Sequence, residues 1–336
     1  MVRNGKALAT WLAAVTVCAG VGAGGGHQSA SGDLAPTSEL RRILASGQLP
    51  ELRQPDFRDL QAGISSLYEQ NSFMPLWLSA GKLTGKGQAI PEALRLSAAK
   101  GLDPEDYEVP LLAEWANRLQ TSPATDGRGI AVFDVAMTVE LMRYASALHQ
   151  GRLDPRQVRF VIRPKDRLDP AVFVRDYRAT TQTLSDRLAQ VEPPFSGYRK
   201  TLAALVLYQQ LAAREASPMP GRPRLPLRRG ESYPDLAALA ARLELLGDLA
   251  AQPVGSEQSR VYDGGVVEAV RKFQMRHGMA GTGTMDLPTW RAFTTPLSQR
   301  VEQLSLTLER WRWMPSAVRP AVVVNAVGVV KQRDAA

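Results

Sequence analysis

Apolar positions recur at helical spacing through most of the chain. In FDVAMTVELMRYASALHQGRLDP, Val135, Val139, Met142 and Leu148 fall near the period of about 3.6 residues, and Gly151 stands just past the last turn, where glycine ends a helix at little cost. YRKTLAALVLYQQLAARE predicts a second long helix, with Leu202, Leu205, Val206 and Leu211 available to a core. Short alternating stretches are few, so residues 36–216 read as a mostly α domain. The pattern then breaks in EASPMPGRPRLPLRRGESYP, which has five prolines, four arginines and no periodicity, and predicts an extended linker over 217–230. Helical spacing returns over 231–296 in three short segments. They are carried by Leu236, Leu239, Leu243 and Leu246, by Val266, Val267, Val270 and Phe273, and by Pro288 to Phe293. A charged, Trp-rich helical stretch follows, closing at Pro315, and Ala321 to Val330 is a dense β-branched run that predicts a buried strand. The expected fold class is therefore mainly α: a large helical domain, a small three-helix domain, and over 297–336 a connector helix with one residual β-strand at the C-terminus.

The amino terminus departs from this picture. Arg3 and Lys6 precede the apolar run ALATWLAAVTVCAGVGAG, which gives way to small residues, the pattern of a secretory signal peptide over 1–30. Gly20 to Gly26 dilute the run before it reaches the roughly 20 apolar residues that a membrane span needs. No stable membrane span is expected once the signal is cleaved, in preference to an uncleaved anchor. Cys18 is the single cysteine, and Val17 stands where a lipoprotein acceptor site wants a small residue. Cleavage would thus leave a chain with no thiol and no disulfide.

Removing a signal that contains Arg3 and Lys6 takes the formal charge from +8 to +6. This excess favours an anionic partner. Export makes a wall polymer or a membrane surface a better match than nucleic acid, and the arginines are scattered rather than arrayed on one helix.

LYEQNSFMPLWL, KGLDPEDYEV and YASALHQGRLDPR, in this order, resemble the scaffold domain of the large L,D-transpeptidases of Gram-negative bacteria. RGESYPDLAALAARLELLGDL and YDGGVVEAVRKFQMRHGM are similar to the peptidoglycan-binding-type domain of that family. SQRVEQLSLTLERWRWMP and VVVN resemble its connector and the first strand of its catalytic domain. The resemblance implies a periplasmic protein with peptidoglycan as partner. It also implies a β-rich catalytic domain whose cysteine thiolate attacks a tetrapeptide stem and forms 3→3 cross-links, from a His-Gly-Cys type motif downstream of the connector.

That motif is not in this sequence. RHGM, Arg276 to Met279, imitates it with a methionine where the cysteine would stand, and His277 reads instead as a positive charge in the last turn of a helix that Gly278 caps. No catalytic residue, metal ligand or cofactor is expected. After Asn325 the text AVGVVKQRDAA departs from the family. The expectation is a chain truncated before the catalytic domain, either a non-enzymatic relative or a fragment of a full-length transpeptidase.

Binding of a glycan or stem peptide would need an aromatic platform with polar groups around it. Tyr262, Gln274 and Trp290 are the candidate peptidoglycan-binding residues, with packing as the competing role for the two aromatics. Where the family has Asp-Gly-x-x-Gly, this chain has TGTMD, so Thr282 and Asp286 put the caps and the left-handed turn of that loop in question. Glu231, Asp235, Glu105 and Asp106 could be read as hydrolase carboxylates, but nothing in their spacing holds two of them across one cleft. Trp311 and Trp313 lie two apart, cannot share a helix face, and are both expected to be exposed.

Overall fold

The computed structural model describes residues 36–122, 126–158, 166–215, 218–250 and 260–315, all within the compact unit Leu34–Ala336. The signal run with Cys18, and the strand expected over Ala321 to Val330, lie outside the described residues. The chain is mainly α. The helices are α1 (Pro36–Ser46), α2 (Gln61–Gln70), α3 (Gly85–Arg95), α4 (Val109–Thr121), α5 (Gly127–Gln150), α6 (Pro170–Ala179), α7 (Leu184–Val191), α8 (Ser196–Ala213), α9 (Leu236–Leu245), α10 (Gly264–Arg276), α11 (Leu287–Phe293) and α12 (Leu297–Trp313). A two-residue antiparallel ribbon, β1 (Leu78–Ser79) and β2 (Lys82–Leu83), joins α2 to α3.

Short polar side chains start many of these helices, because their oxygens take the N–H groups that the first turn leaves unpaired. Asp126 Oδ2 accepts from Gly129 N at 2.9 Å at the start of α5, and Asp169 Oδ1 accepts from Ala171 N at 2.9 Å at the start of α6. Gly151, with φ +80, terminates α5 as the sequence predicts.

The helix α5 does not bury only the positions Val135, Val139, Met142 and Leu148. Instead it is buried on nearly every face and forms the axis of the large domain, with α1, α3, α4, α6 and α7 packed around it. Two of its buried polar residues, Asp134 and Thr138, are satisfied internally. Asp134, fully buried, accepts from Tyr68 Oη at 2.6 Å and from the backbone N–H of Leu76 and Trp77, each at 2.8 Å, while Trp77 Nε1 donates to Thr138 Oγ1 at 2.8 Å. One carboxylate thus pins the loop that precedes β1. Lys86 pins another junction by donating to the carbonyls of Tyr177, Arg178 and Thr180 at 2.6, 2.7 and 2.5 Å, where the end of α6 favours a cation.

The helix α12 returns to the large domain and lies along α8. Its seat is made of glycines. A Cβ at Gly197 would fall 2.6 Å from Trp311 Cη2, one at Gly151 would fall 2.8 Å from Trp313 Nε1, and one at Gly101 would fall 3.1 Å from Ser305 Cα. Glu309 Oε1 accepts from the N–H of Arg152 and Leu153 at 2.5 and 3.0 Å, and Arg312 Nη2 donates to Lys100 O at 2.5 Å. Both indoles are consequently covered, contrary to the exposure expected of them. Trp313 is buried, and Trp311 is half-buried with its ring 5.6 Å from that of Phe195. Leu205 joins this contact, whereas Val206 faces solvent.

The small domain packs α9, α10 and α11 around Leu239, Leu243, Val270, Phe273 and Phe293. The Pro/Arg stretch before it is not a free spacer. Leu227 and Tyr233 are buried in the same core, Leu227 exchanges backbone hydrogen bonds of 3.0 Å with Met285, and Ser232 bridges to Val261. A segment without side-chain periodicity can still donate two anchors, which composition hides. Both ends of the small domain meet Glu215, just beyond α8. Glu215 pairs with the buried Arg242 of α9 and accepts from Leu297 N at 3.3 Å, while Arg242 also donates to Phe293 O at 3.0 Å and Thr295 O at 2.9 Å.

Candidate functional site

Of the three residues selected from the sequence, Tyr262 and Gln274 meet at one loop from its inner side, and Trp290 lies in the core. Gly283 has φ +73, a conformation open to glycine and costly for other residues. Its N–H donates to Gln274 Oε1 at 2.9 Å and its carbonyl accepts from Tyr262 Oη at 2.7 Å. Gln274 Nε2 in turn donates to Thr284 O at 2.8 Å and to Thr289 Oγ1 at 3.1 Å. Trp290 packs into the same core, its ring tilted against that of Phe293 at 6.2 Å. Tyr262 is 0%, Gln274 1% and Trp290 7% exposed, so these side chains do not form a platform facing solvent. A three-helix domain has too few large residues to leave its aromatics outside. Tyr262 and Gln274 hold the loop instead. Burial accordingly pushes the Tyr262 hydroxyl above the ordinary tyrosine range.

The substitutions in TGTMD leave the loop intact. Thr282 Oγ1 accepts from Thr284 N at 3.2 Å, Asp286 Oδ1 accepts from Thr289 N at 2.9 Å, and Gly283 supplies the left-handed turn. Gly278, φ +70, caps α10 as expected. The surroundings of His277 disfavour the positive charge that its place in the last turn favours. Its ring lies 4.0 Å from that of Phe273, Nδ1 faces Phe273 O at 2.8 Å, and burial pushes its pKa below the usual histidine value, with Arg276 and Arg300 adding to the effect.

On the solvent side of the loop stand two residues that sequence reasoning passed over, Arg271 and Met275. They are one turn apart on α10, 45% and 61% exposed, on the face opposite Val270 and Phe273. A Cβ at Gly283 would lie 3.0 Å from Arg271 Nε, and one at Gly281 would lie 2.9 Å from Met275 Cγ. The loop backbone therefore runs directly beneath both side chains, giving a shallow surface with a cation, a polarisable apolar group and the exposed Thr282. The signal was present as an i, i+4 pair on the polar face of α10 together with two closely spaced glycines.

Comparison with known families accounts for both halves of the structure. The Scaffold domain matches residues 62–205, and the peptidoglycan binding domain matches residues 232–293. The chain carries the L,D-transpeptidase scaffold domain and a peptidoglycan binding domain. No curated protein matches the chain. The scaffold match begins at α2 and runs into α8, and the peptidoglycan binding match contains α9 to α11 with the whole loop just described. These two domains make it a peptidoglycan-associated protein.

The carboxylates considered for hydrolysis are dispersed within this frame. Glu105 pairs with Arg53 at 2.9 Å and Asp106 with Arg152, both on the scaffold domain. Glu231 Oε2 accepts from Arg228 N at 2.7 Å and Asp235 Oδ2 from Gly221 N at 2.7 Å, beside the peptidoglycan binding domain. Among the described residues, no group of His, Cys, Asp and Glu is placed to hold a metal ion, and no helix is long and apolar enough to cross a membrane.

Proposed function

We propose that this is an exported, periplasmic wall-binding protein that holds peptidoglycan on the Arg271/Met275 surface and performs no transpeptidation itself. The observation that carries the reading is the position of that surface, exposed and rigidly backed by Gln274 and Tyr262, within the peptidoglycan binding domain. A cation beside an apolar side chain suits an anionic stem peptide that carries methyl groups, and the excess of positive charge acts in the same direction. Thioester chemistry needs a thiol, and the single cysteine, Cys18, falls in the segment read as a signal.

Pelleting of the purified chain with sacculi tests the binding. The chain is expected to sediment at low ionic strength and to be released by salt. The double substitution Arg271→Glu with Met275→Glu is expected to abolish sedimentation at an unchanged melting temperature. Absence of pelleting at low salt, or pelleting unaffected by the double substitution, overturns the site. Mass spectrometry after incubation with tetrapeptide muropeptides is expected to show no acyl adduct, and an adduct overturns the non-catalytic reading.

A second reading, a portion of a full-length transpeptidase, is favoured by one observation. The segment that resembles the family's connector is a formed helix, α12, seated on the scaffold domain.

A further inference from the structure

Between α3, α7 and the last turns of α5, the scaffold domain leaves a cavity of about 390 Å³. Its walls include Ala93, Leu148, Leu184 and Leu188, and its polar lining includes Lys100 and Glu192. Lys100 Nζ lies 2.5 Å from Glu192 Oε1, with the two side chains 28% and 11% exposed, so the pair is partly sheltered and still reachable. The volume falls in the lower part of the range of about 300–1,000 Å³ found for ligand sites, room for a few small residues and too little for a folded segment.

The chemistry of the lining selects among small ligands. An ammonium carries three N–H donors and gives one to Glu192, while a carboxylate has a second oxygen beyond the one that meets Lys100. Lys100 can therefore take a ligand carboxylate without releasing Glu192, and Glu192 can take a ligand amine without releasing Lys100. A ligand of one sign alone would leave one member of the pair opposed to it, so charge complementarity favours a zwitterion. The leucines and alanines beside the pair accept methyl groups and exclude water, which strengthens the charged contacts.

We propose that this cavity binds a short peptide bearing a free carboxylate and a free amine, the chemistry of a peptidoglycan stem peptide. The proposal rests on the wall-association reading and adds a second, scaffold-borne site to it. The site is also tied to α12, because Lys100 O accepts from Arg312 Nη2 at 2.5 Å.

Calorimetric titration of the intact chain with the free tetrapeptide stem, and with the same peptide amidated at its C-terminus, tests the site. The free peptide is expected to bind at least tenfold more tightly than the amide, and Lys100→Met is expected to erase that difference. Ala189→Trp, at an exposed position on the cavity wall, is expected to weaken the free peptide tenfold or more at an unchanged melting temperature. Equal binding of acid and amide, absence of any binding, or indifference to both substitutions overturns the proposal. Sacculus pelleting of the same preparations separates the two readings. A chain that pellets with sacculi and binds no stem peptide loses only the cavity site, and one that binds stem peptide and does not pellet loses only the surface on the peptidoglycan binding domain.

Discussion

Glu140 carries an ionisable group where the scaffold domain has least room for charge. It is 0% exposed, and Arg143 Nη1 donates to its Oε1 at 2.8 Å while also holding Gln54 O and Asp56 O at 3.0 and 2.9 Å. Burial pushes its carboxyl up to about 7, against the pull of Arg143, and Glu108 and Asp106 push it further up. Burial likewise raises Asp134 to about 6, although Tyr68 and the backbone N–H groups of Leu76 and Trp77 favour its charged form. A carboxyl whose folded pKa is raised contributes stability that is complete below its unfolded pKa and is lost as pH climbs through the folded value. Both groups act in this sense. The urea midpoint of the chain should therefore fall between pH 5 and pH 7.5, and Glu140→Gln should remove on the order of 2 kcal/mol of that loss. Equal slopes for the two proteins would show that Glu140 does not titrate in this window. None of this is visible in the sequence, where Glu140 reads as a polar gap in an amphipathic helix. Periodicity reports which residues alternate, and it cannot report that a helix will be covered on every side.

At the level of elements, the helices of both domains were legible because their apolar spacing, their capping residues and their glycine stops agree. The seat of α12 was not. Its contacts are made by Gly101, Gly151 and Gly197, residues that contribute by having no side chain, and a sequence pattern registers glycines mainly as breaks. The loop at Gly281 and Gly283 was legible through its TGTMD text, but the exposed pair Arg271 and Met275 above it was not, and of the two roles open to Tyr262 and Trp290 the structure has packing. Gly197→Ala is expected to drive Trp311 off α8 and to cost about 1–3 kcal/mol, the usual penalty for overpacking a filled contact. A lowered melting temperature together with a red-shifted tryptophan emission would report it. Gly85→Ala, at the start of α3, is the control: a Cβ there meets nothing within 4 Å, so stability should hold or rise slightly. Equal effects of the two substitutions would mean that α12 is not held by close approach.

For the whole molecule, Glu215 carries a buried charge pair between the two domains, beside the bond of Arg276 to Tyr208. Without it the guanidinium of Arg242 keeps the carbonyls of Phe293 and Thr295 but has no counter-charge in a buried position. Glu215→Ala should cost about 2–4 kcal/mol, less than or near the loss on breaking a fully buried pair, and should enlarge the radius of gyration measured by X-ray scattering. An unchanged scattering profile would assign the fixation to the pairing of Arg276 with Asp248 and Tyr208 instead. The meeting of both ends of the small domain at Glu215 has a consequence for how such chains can be recombined. The scaffold domain is not a continuous stretch of text, since its α8 is completed by a helix that comes after the peptidoglycan binding domain. The smaller domain, by contrast, leaves and re-enters within reach of one side chain, with Leu297 N 3.3 Å from the Glu215 carboxylate. It can be excised and the gap spliced, or exchanged for another module with close-set termini, without disturbing the helix pair on either side.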